Sequence, residues 1–206
     1  MKNILLIQPK AVLKLLYLQA LWHGNRNEKI IYLTFDDGPI EGLTPWILST
    51  LAAYKAKATF FCVGANVQKN KHIYDQILAE GHAVGNHTMH HVKGFKTEPN
   101  EYMAEVAACD QLMESKLFRP PYGQLKLAQY HKLMEAGYKV VFWDVISYDY
   151  EKIKKEVVLK NVIKHTREGS IVLFHDNIKA EKNVKYALPL FLAHFKNLGF
   201  SFDVIR

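Results

Sequence analysis

A chain of 206 residues, 49% hydrophobic and 23% charged, is long enough for one cored domain, and no interior run reaches the ~18 uninterrupted apolar residues of a spanning helix. Its formal net charge of +7 comes largely from lysines scattered along the chain (Lys55, Lys57, Lys69, Lys71, Lys152, Lys154, Lys155, Lys179, Lys182, Lys185), with no basic run interleaved with aromatics; this indicates a solvated surface and argues against nucleic acid as a partner. Two cysteines, Cys62 and Cys109, cannot build a disulfide framework; buried free thiols are expected, with a single bridge as the alternative.

Met1-Lys2-Asn3 followed by Ile4 to Ile7 imitates a charged start and an apolar core. Pro9 and Lys10 cut that core short and no small-x-small site follows, so no cleavable signal is expected. Residues 11–22 predict an amphipathic helix that packs on the domain; the alternative is a helix lying on a membrane surface, aided by its flanking lysines. The compartment is left open between the cytoplasm and a membrane-peripheral place in the cell envelope.

Ile30-Ile31-Tyr32-Leu33-Thr34-Phe35 predicts a buried strand running into Asp36 and Asp37, because apolar and β-branched residues favour the strand while Gly38-Pro39 ends it. Thr44 as N-cap, with Pro45 at the first helical position, starts a helix to about residue 54. The nearly all-apolar run 58–64 predicts a strand covered on both faces. Further along come helix over about 70–80, strand over 82–85, helix over about 100–115, a strand end and turn over 117–123, and helix over about 126–136. Residues 138–143 are expected as one strand, followed by helix over about 152–167, strand over 170–174, helix over about 184–198 and strand over 200–205. This repeated strand-then-helix order predicts an α/β fold with a mainly parallel sheet and right-handed crossovers, either closed as a barrel or open and doubly wound. Polar clusters recur at the strand ends, on the rim where such folds place their chemistry.

His87 and His91 are spaced so that both imidazoles can face one point, and one carboxylate, from Asp37 or Asp36, completes a set suited to a divalent ion with open positions. A carboxylate outside that set can act as base toward a bound water, and Arg119 is a candidate to orient it. His175, at the end of an apolar strand, suits a general acid if Asp149 or Asp144 keeps it protonated.

Thr34-Phe35-Asp36-Asp37-Gly38-Pro39, His87-Thr88-Met89-His90-His91, Arg119-Pro120-Pro121-Tyr122-Gly123, the run Trp143 to Tyr150, and Leu173-Phe174-His175-Asp176 together resemble the five ordered motifs of the NodB-type polysaccharide deacetylases, carbohydrate esterase family four. The resemblance implies a distorted, incomplete (β/α) barrel with mainly parallel strands; the expected division is a short N-terminal segment (1–28) packed on a catalytic domain over 29–206. It also implies metal-dependent hydrolysis of N-acetyl groups on amino sugars such as the N-acetylglucosamine of peptidoglycan or chitin oligomers. By matching position, Asp36 would be the base and Asp37, His87 and His91 the ligands of a divalent ion, Zn²⁺ in the first instance with Co²⁺ or Ni²⁺ as alternatives. Arg119 would orient Asp36, and His175 would be the acid, tuned by Asp149. The Tyr122 backbone N–H would serve the oxyanion, Pro121, Tyr150 and Leu173 would line the substrate site, and Thr88 would brace the histidine loop.

The sequence departs from the family where Tyr150 stands for the usual tryptophan and Ile146 for a frequent aspartate. Both changes bear on substrate preference, and neither touches a matched ligand or base. The remaining histidines are assigned to packing or surface, with His90 exposed or next to the site. Asp176 is expected to anchor the loop after its strand. A glycan substrate and a monomeric protein are expected; the alternatives are a deacetylase or deformylase of a lipid-linked amino sugar at a membrane, and a catalytically silent glycan-binding protein.

Overall fold

A computed structural model describes residues 7–206; most of the charged and apolar start, Met1 to Leu6, lies outside them. Eight strands build one curled parallel sheet: β1 (Ile30–Asp36), β2 (Ala58–Cys62), β3 (Ala83–Asn86), β4 (Leu117–Phe118), β5 (Lys139–Val140), β6 (Val145–Ile146), β7 (Ile171–His175) and β8 (Ser201–Phe202). The order is β5-β4-β3-β2-β1-β7-β6, with β8 on the first residues of β1. β5 and β6 form its two ends, so the barrel is incomplete, as the family resemblance implies.

The helices are α1 (Ala11–Leu16), α2 (Leu43–Ala53), α3 (Gly64–Lys69), α4 (Lys71–Ala79), α5 (Pro99–Asp110), α6 (Leu127–Glu135), α7 (Lys155–His165) and α8 (Glu181–Asn197). Alternation along β1 sends Ile31, Leu33 and Phe35 outward into the core shared with α2 and α8, where Phe35 stacks on Phe60 and Phe174. The same alternation turns Thr34 and Asp36 into the barrel. β2 is buried at every position, as its apolar run predicts. No helix among the described residues is long and apolar enough to cross a membrane. Cys62 and Cys109 are both buried and free.

Four local expectations change. Residues 138–143 do not form one strand, because the Arg119 guanidinium takes the carbonyls of Val141 and Phe142 that a neighbouring strand would use. The chain breaks there and resumes as β6. The helix after β1 starts at Leu43 behind Gly42, whose φ is 74°. Thr44 is therefore inside it, and its hydroxyl donates to Asp176 while accepting the Ile40 N–H. The helix expected at 70–80 is preceded by a second, α3, broken from it at Asn70.

The predicted 11–22 helix stops at Leu16 and buries no residue. What packs is the stretch after it. The Tyr17 hydroxyl donates to the Leu125 carbonyl, and Trp22 stacks on Phe142 at 4.3 Å. Leu21 bridges Val141, just after β5, and His23 bridges Ser170, just before β7, so the segment straps the open side of the barrel. Val12, Leu15, Leu16 and Leu18 are left facing solvent.

Candidate active site

β1 ends at Asp36, whose neighbours at the same level are Phe61 of β2 and His175 of β7. Parallel pairing in register thus brings side chains distant in sequence to one rim. Asp36 is 4% exposed and its Oδ1 accepts Nη1 of Arg119 at 2.7 Å. Arg119 is fully buried, over the face of Phe61, and also donates to the Thr34 hydroxyl and to the carbonyls of Val141 and Phe142. A guanidinium satisfied on so many sides has no freedom to turn, and it fixes the Asp36 carboxylate with it. The Asp36–Arg119 pair is charge-compensated; removing either partner leaves an unpaired buried charge, a loss of about 3–5 kcal/mol.

Asp37 points elsewhere. Its Oδ1 lies 3.0 Å from His91 Nε2 and 3.6 Å from His87 Nε2, and donor atoms of the three residues all lie within 4.8 Å of one another. The His87 Nδ1–H donates to the Arg119 carbonyl at 2.7 Å, which turns Nε2 toward Asp37. One residue, Arg119, therefore orients both a carboxylate and an imidazole. Burial would raise the Asp37 carboxyl, but the imidazoles of His87 and His91 and the charge at His175 hold it well below the usual carboxylate range. The Thr88 hydroxyl accepts the Val92 N–H, bracing the loop between the two histidines. Two imidazoles and one carboxylate with converging atoms fit a divalent metal ion.

Across the rim, His175 Nδ1–H donates to Asp149 Oδ1 at 2.7 Å and its backbone N–H donates to Asp149 Oδ2 at 2.8 Å. Burial would lower the imidazole, but the adjacent Asp149 carboxylate outweighs it and pushes His175 up to about 9. Nδ1 is engaged, so Nε2 is the nitrogen left for the cleft. Asp144, the other carboxylate considered for this role, is held by Arg26 and the Ser170 hydroxyl instead. Asp176 anchors its loop as expected: one oxygen accepts the Gly38 N–H, the other the Thr44 hydroxyl, and burial lifts it to about 8.

These groups line a cleft of about 880 Å³ with Tyr122, Trp143, Ile146, Tyr148, Tyr150 and Leu173 on its walls. Tyr150 meets His175 edge to face at 4.7 Å, and the Tyr122 ring leans on His91 at 4.5 Å. Pro121 is buried and does not line the cleft; it supports the turn in which Tyr122 has a φ of 59°. His90 pairs with Glu105 on the surface. Reasoning from sequence missed Asn66 and Asn177, which donate to the Asp37 carbonyl and to its Oδ2. It also missed Asn183, which donates to the Asp149 carbonyl. An asparagine in a helix, as Asn66 and Asn183 are, carries no signal of a distant acceptor; only Asn177, two residues past His175, could have been suspected from its position.

Residues 23–141 match the family model described as polysaccharide deacetylase. A peptidoglycan-N-acetylglucosamine deacetylase of Bacillus cereus is 36% identical over 191 residues, covering 89% of this chain and 90% of that protein. A chitooligosaccharide deacetylase of a Bradyrhizobium species is 35% identical over 154 residues, 71% of this chain and 70% of the other. Among solved structures, a peptidoglycan N-acetylglucosamine deacetylase crystallised with a hydroxamate-type compound superposes with a TM-score of 0.87 at 29% identity, over 91% of each chain. A family 4 carbohydrate esterase of Bacillus subtilis gives 0.83 at 27% identity, covering 96% of this chain and 89% of that one. The chain belongs to the polysaccharide deacetylase family.

Proposed function

We propose that this protein hydrolyses the N-acetyl group of N-acetylglucosamine residues in a glycan such as peptidoglycan or chitin oligomers, with Zn²⁺ held by Asp37, His87 and His91. The observation that carries this reading is the division of two adjacent aspartates: Asp36 is pinned by Arg119, and Asp37 is turned to the two histidines. A bound divalent ion supplies Lewis-acid polarisation of the amide carbonyl and a more acidic water. Asp36, outside the ligand set and held in one orientation, accepts the proton of the attacking water. His175, kept protonated by Asp149, returns a proton to the departing amine nitrogen. Acetate and a free amino sugar result. Tyr150 and Leu173 border the cleft beside His175, where they would flank the acetyl methyl, and Ile146 adds an apolar wall in place of a carboxylate.

The relatives named above support N-acetylglucosamine as the sugar. Purified protein reconstituted with zinc and offered peptidoglycan or chitin oligomers should release acetate, with a mass loss of one acetyl group per product, and a chelator should stop it. Oligosaccharides unchanged by the zinc-loaded protein across both classes would overturn the reading.

One observation favours a second reading, action on an amino sugar borne at a membrane. The exposed Val12, Leu15, Leu16 and Leu18 lie beside Lys10 and Lys14, a pairing of apolar and cationic groups that suits an anionic lipid surface. Co-sedimentation with anionic vesicles, lost in Leu15→Ser/Leu18→Ser, tests it; no binding by the unaltered chain would remove it.

A further inference from the structure

Asp37 sits on a backbone that its side chain makes costly. Its φ of 89° lies outside the regions open to most non-glycine residues, and such conformations persist only where neighbours over-determine them. Three contacts do so here. Its N–H donates to the Phe61 carbonyl at 3.2 Å, its carbonyl accepts Nδ2 of Asn66 at 2.7 Å, and its Oδ2 accepts Nδ2 of Asn177 at 2.5 Å. Asn177 cannot rotate its amide, because Oδ1 accepts the Ala180 N–H at 3.0 Å. With the oxygen so committed, the NH₂ end is the one that faces Asp37. The preceding residue, Asp176, ties the same loop to Gly38 and Thr44. The loop after β7 thus grips the Asp36-Asp37-Gly38 turn through two consecutive side chains.

We infer that Asn177 is a positioning residue of the metal site: its amide occupies Oδ2 of Asp37 and so presents Oδ1 alone to an ion shared with His87 and His91. This rests on reading those three residues as a divalent-ion site. A carboxylate with both oxygens free can turn about its Cβ–Cγ bond or offer either oxygen. With Oδ2 taken, Oδ1 stays 3.0 Å from His91 Nε2. Hydrogen-bond partners of metal-ligating side chains set metal affinity by about 10–100-fold, and Asn177 stands in that relation to Asp37 as the Arg119 carbonyl does to His87.

The test separates the Asp37 contact from the turn that Asn177 also makes. Asn177→Ser keeps a hydroxyl acceptor for the Ala180 N–H but is too short to reach Asp37, whereas Asn177→Ala removes both bonds. Zinc affinity of the full metal-free chain is measured by competition with a chromophoric chelator, alongside thermal unfolding of the metal-free form. Both variants should bind zinc about 10–100-fold more weakly than the unaltered chain, while metal-free Asn177→Ser unfolds at the unaltered temperature. Unaltered zinc affinity in Asn177→Ser would overturn the inference, and a loss confined to Asn177→Ala would assign the effect to the turn. Failure of the unaltered chain to bind zinc would instead overturn the metal-site reading beneath it.

Discussion

Replacing Asp149 by asparagine should move the alkaline limit of activity and leave the ligand set alone. The His175 side chain is 12% exposed and Asp149 is fully buried, so solvent screens their interaction little. His175 rises from an ordinary 6.5 to about 9 against the opposing effect of its own burial, which corresponds to about 3 kcal/mol of net preference for the imidazolium. Without the Asp149 charge, burial opposes only the weaker pull of Asp37 and Asp36, and the imidazole falls back toward 6.5. At pH 7.5 the protonated fraction then drops from nearly all to about one in ten, a loss of about tenfold in the acid form before any loss of orientation. Orientation suffers too. Asp149 accepts two N–H bonds from His175, whereas an asparagine oxygen accepts one and its NH₂ meets the other donor, leaving a buried group unpaired at about 1–3 kcal/mol. Acetate release followed against pH should hold up to about 9 in the unaltered enzyme and fall away at lower pH, toward 6.5, in Asp149→Asn. Stability follows the same sign. The contribution of the raised His175 is fully present below about 6.5 and lost as pH rises through about 9, so the Tm gap between the two proteins should narrow across that window. An alkaline limb that stays near pH 9 in the variant would refute the role given to Asp149.

Other perturbations test the supports of the site. Arg119→Met should destabilise the fold by about 3–5 kcal/mol in urea unfolding, because Asp36 is left as an unpaired buried charge, while the main-chain carbonyl of residue 119 still holds His87. In Gly38→Ala the added Cβ would stand 1.8 Å from Asp176 Oδ2, so the turn behind Asp37 must shift; weaker zinc binding together with a lower Tm is expected. His91→Ala should reduce zinc affinity measured by chelator competition and lower the metal-free Tm by less than Arg119→Met does, since His91 is part-exposed but still pairs with Asp37 and backs the Tyr122 ring.

The five polar clusters were legible in sequence because each follows an apolar run, and a parallel sheet must deliver such clusters to one edge. Residues 30–36, 58–62 and 171–175 alternate or run apolar clearly enough to show as strands, and Asp36, Asp37 and His175 come at or just after such runs. The run 138–143 looks equally strand-like. Its break depends on a guanidinium 22 and 23 residues upstream of the two carbonyls it takes, which no local pattern encodes. The 11–22 segment has helical spacing, yet Val12, Leu15, Leu16 and Leu18 face solvent, because the packing falls to the stretch after the helix, where Tyr17, Leu21 and Trp22, with His23, form an extended strap. Asp144 and Asp149 are equivalent by spacing; Arg26, whose role shows only in the folded chain, claims the former. Asn177 and Asp37 meet across 140 residues, so their contact is visible in the folded chain alone.

The central claim is that adjacent aspartates hold unequal roles, and zinc binding measured beside acetate release in Asp36→Asn and Asp37→Asn tests it most directly. Asp36→Asn should bind zinc within about threefold of the unaltered enzyme and release no acetate, whereas Asp37→Asn should lose zinc affinity by at least about 100-fold. Full acetate release by Asp36→Asn, or equal loss of zinc in both variants, would contradict it.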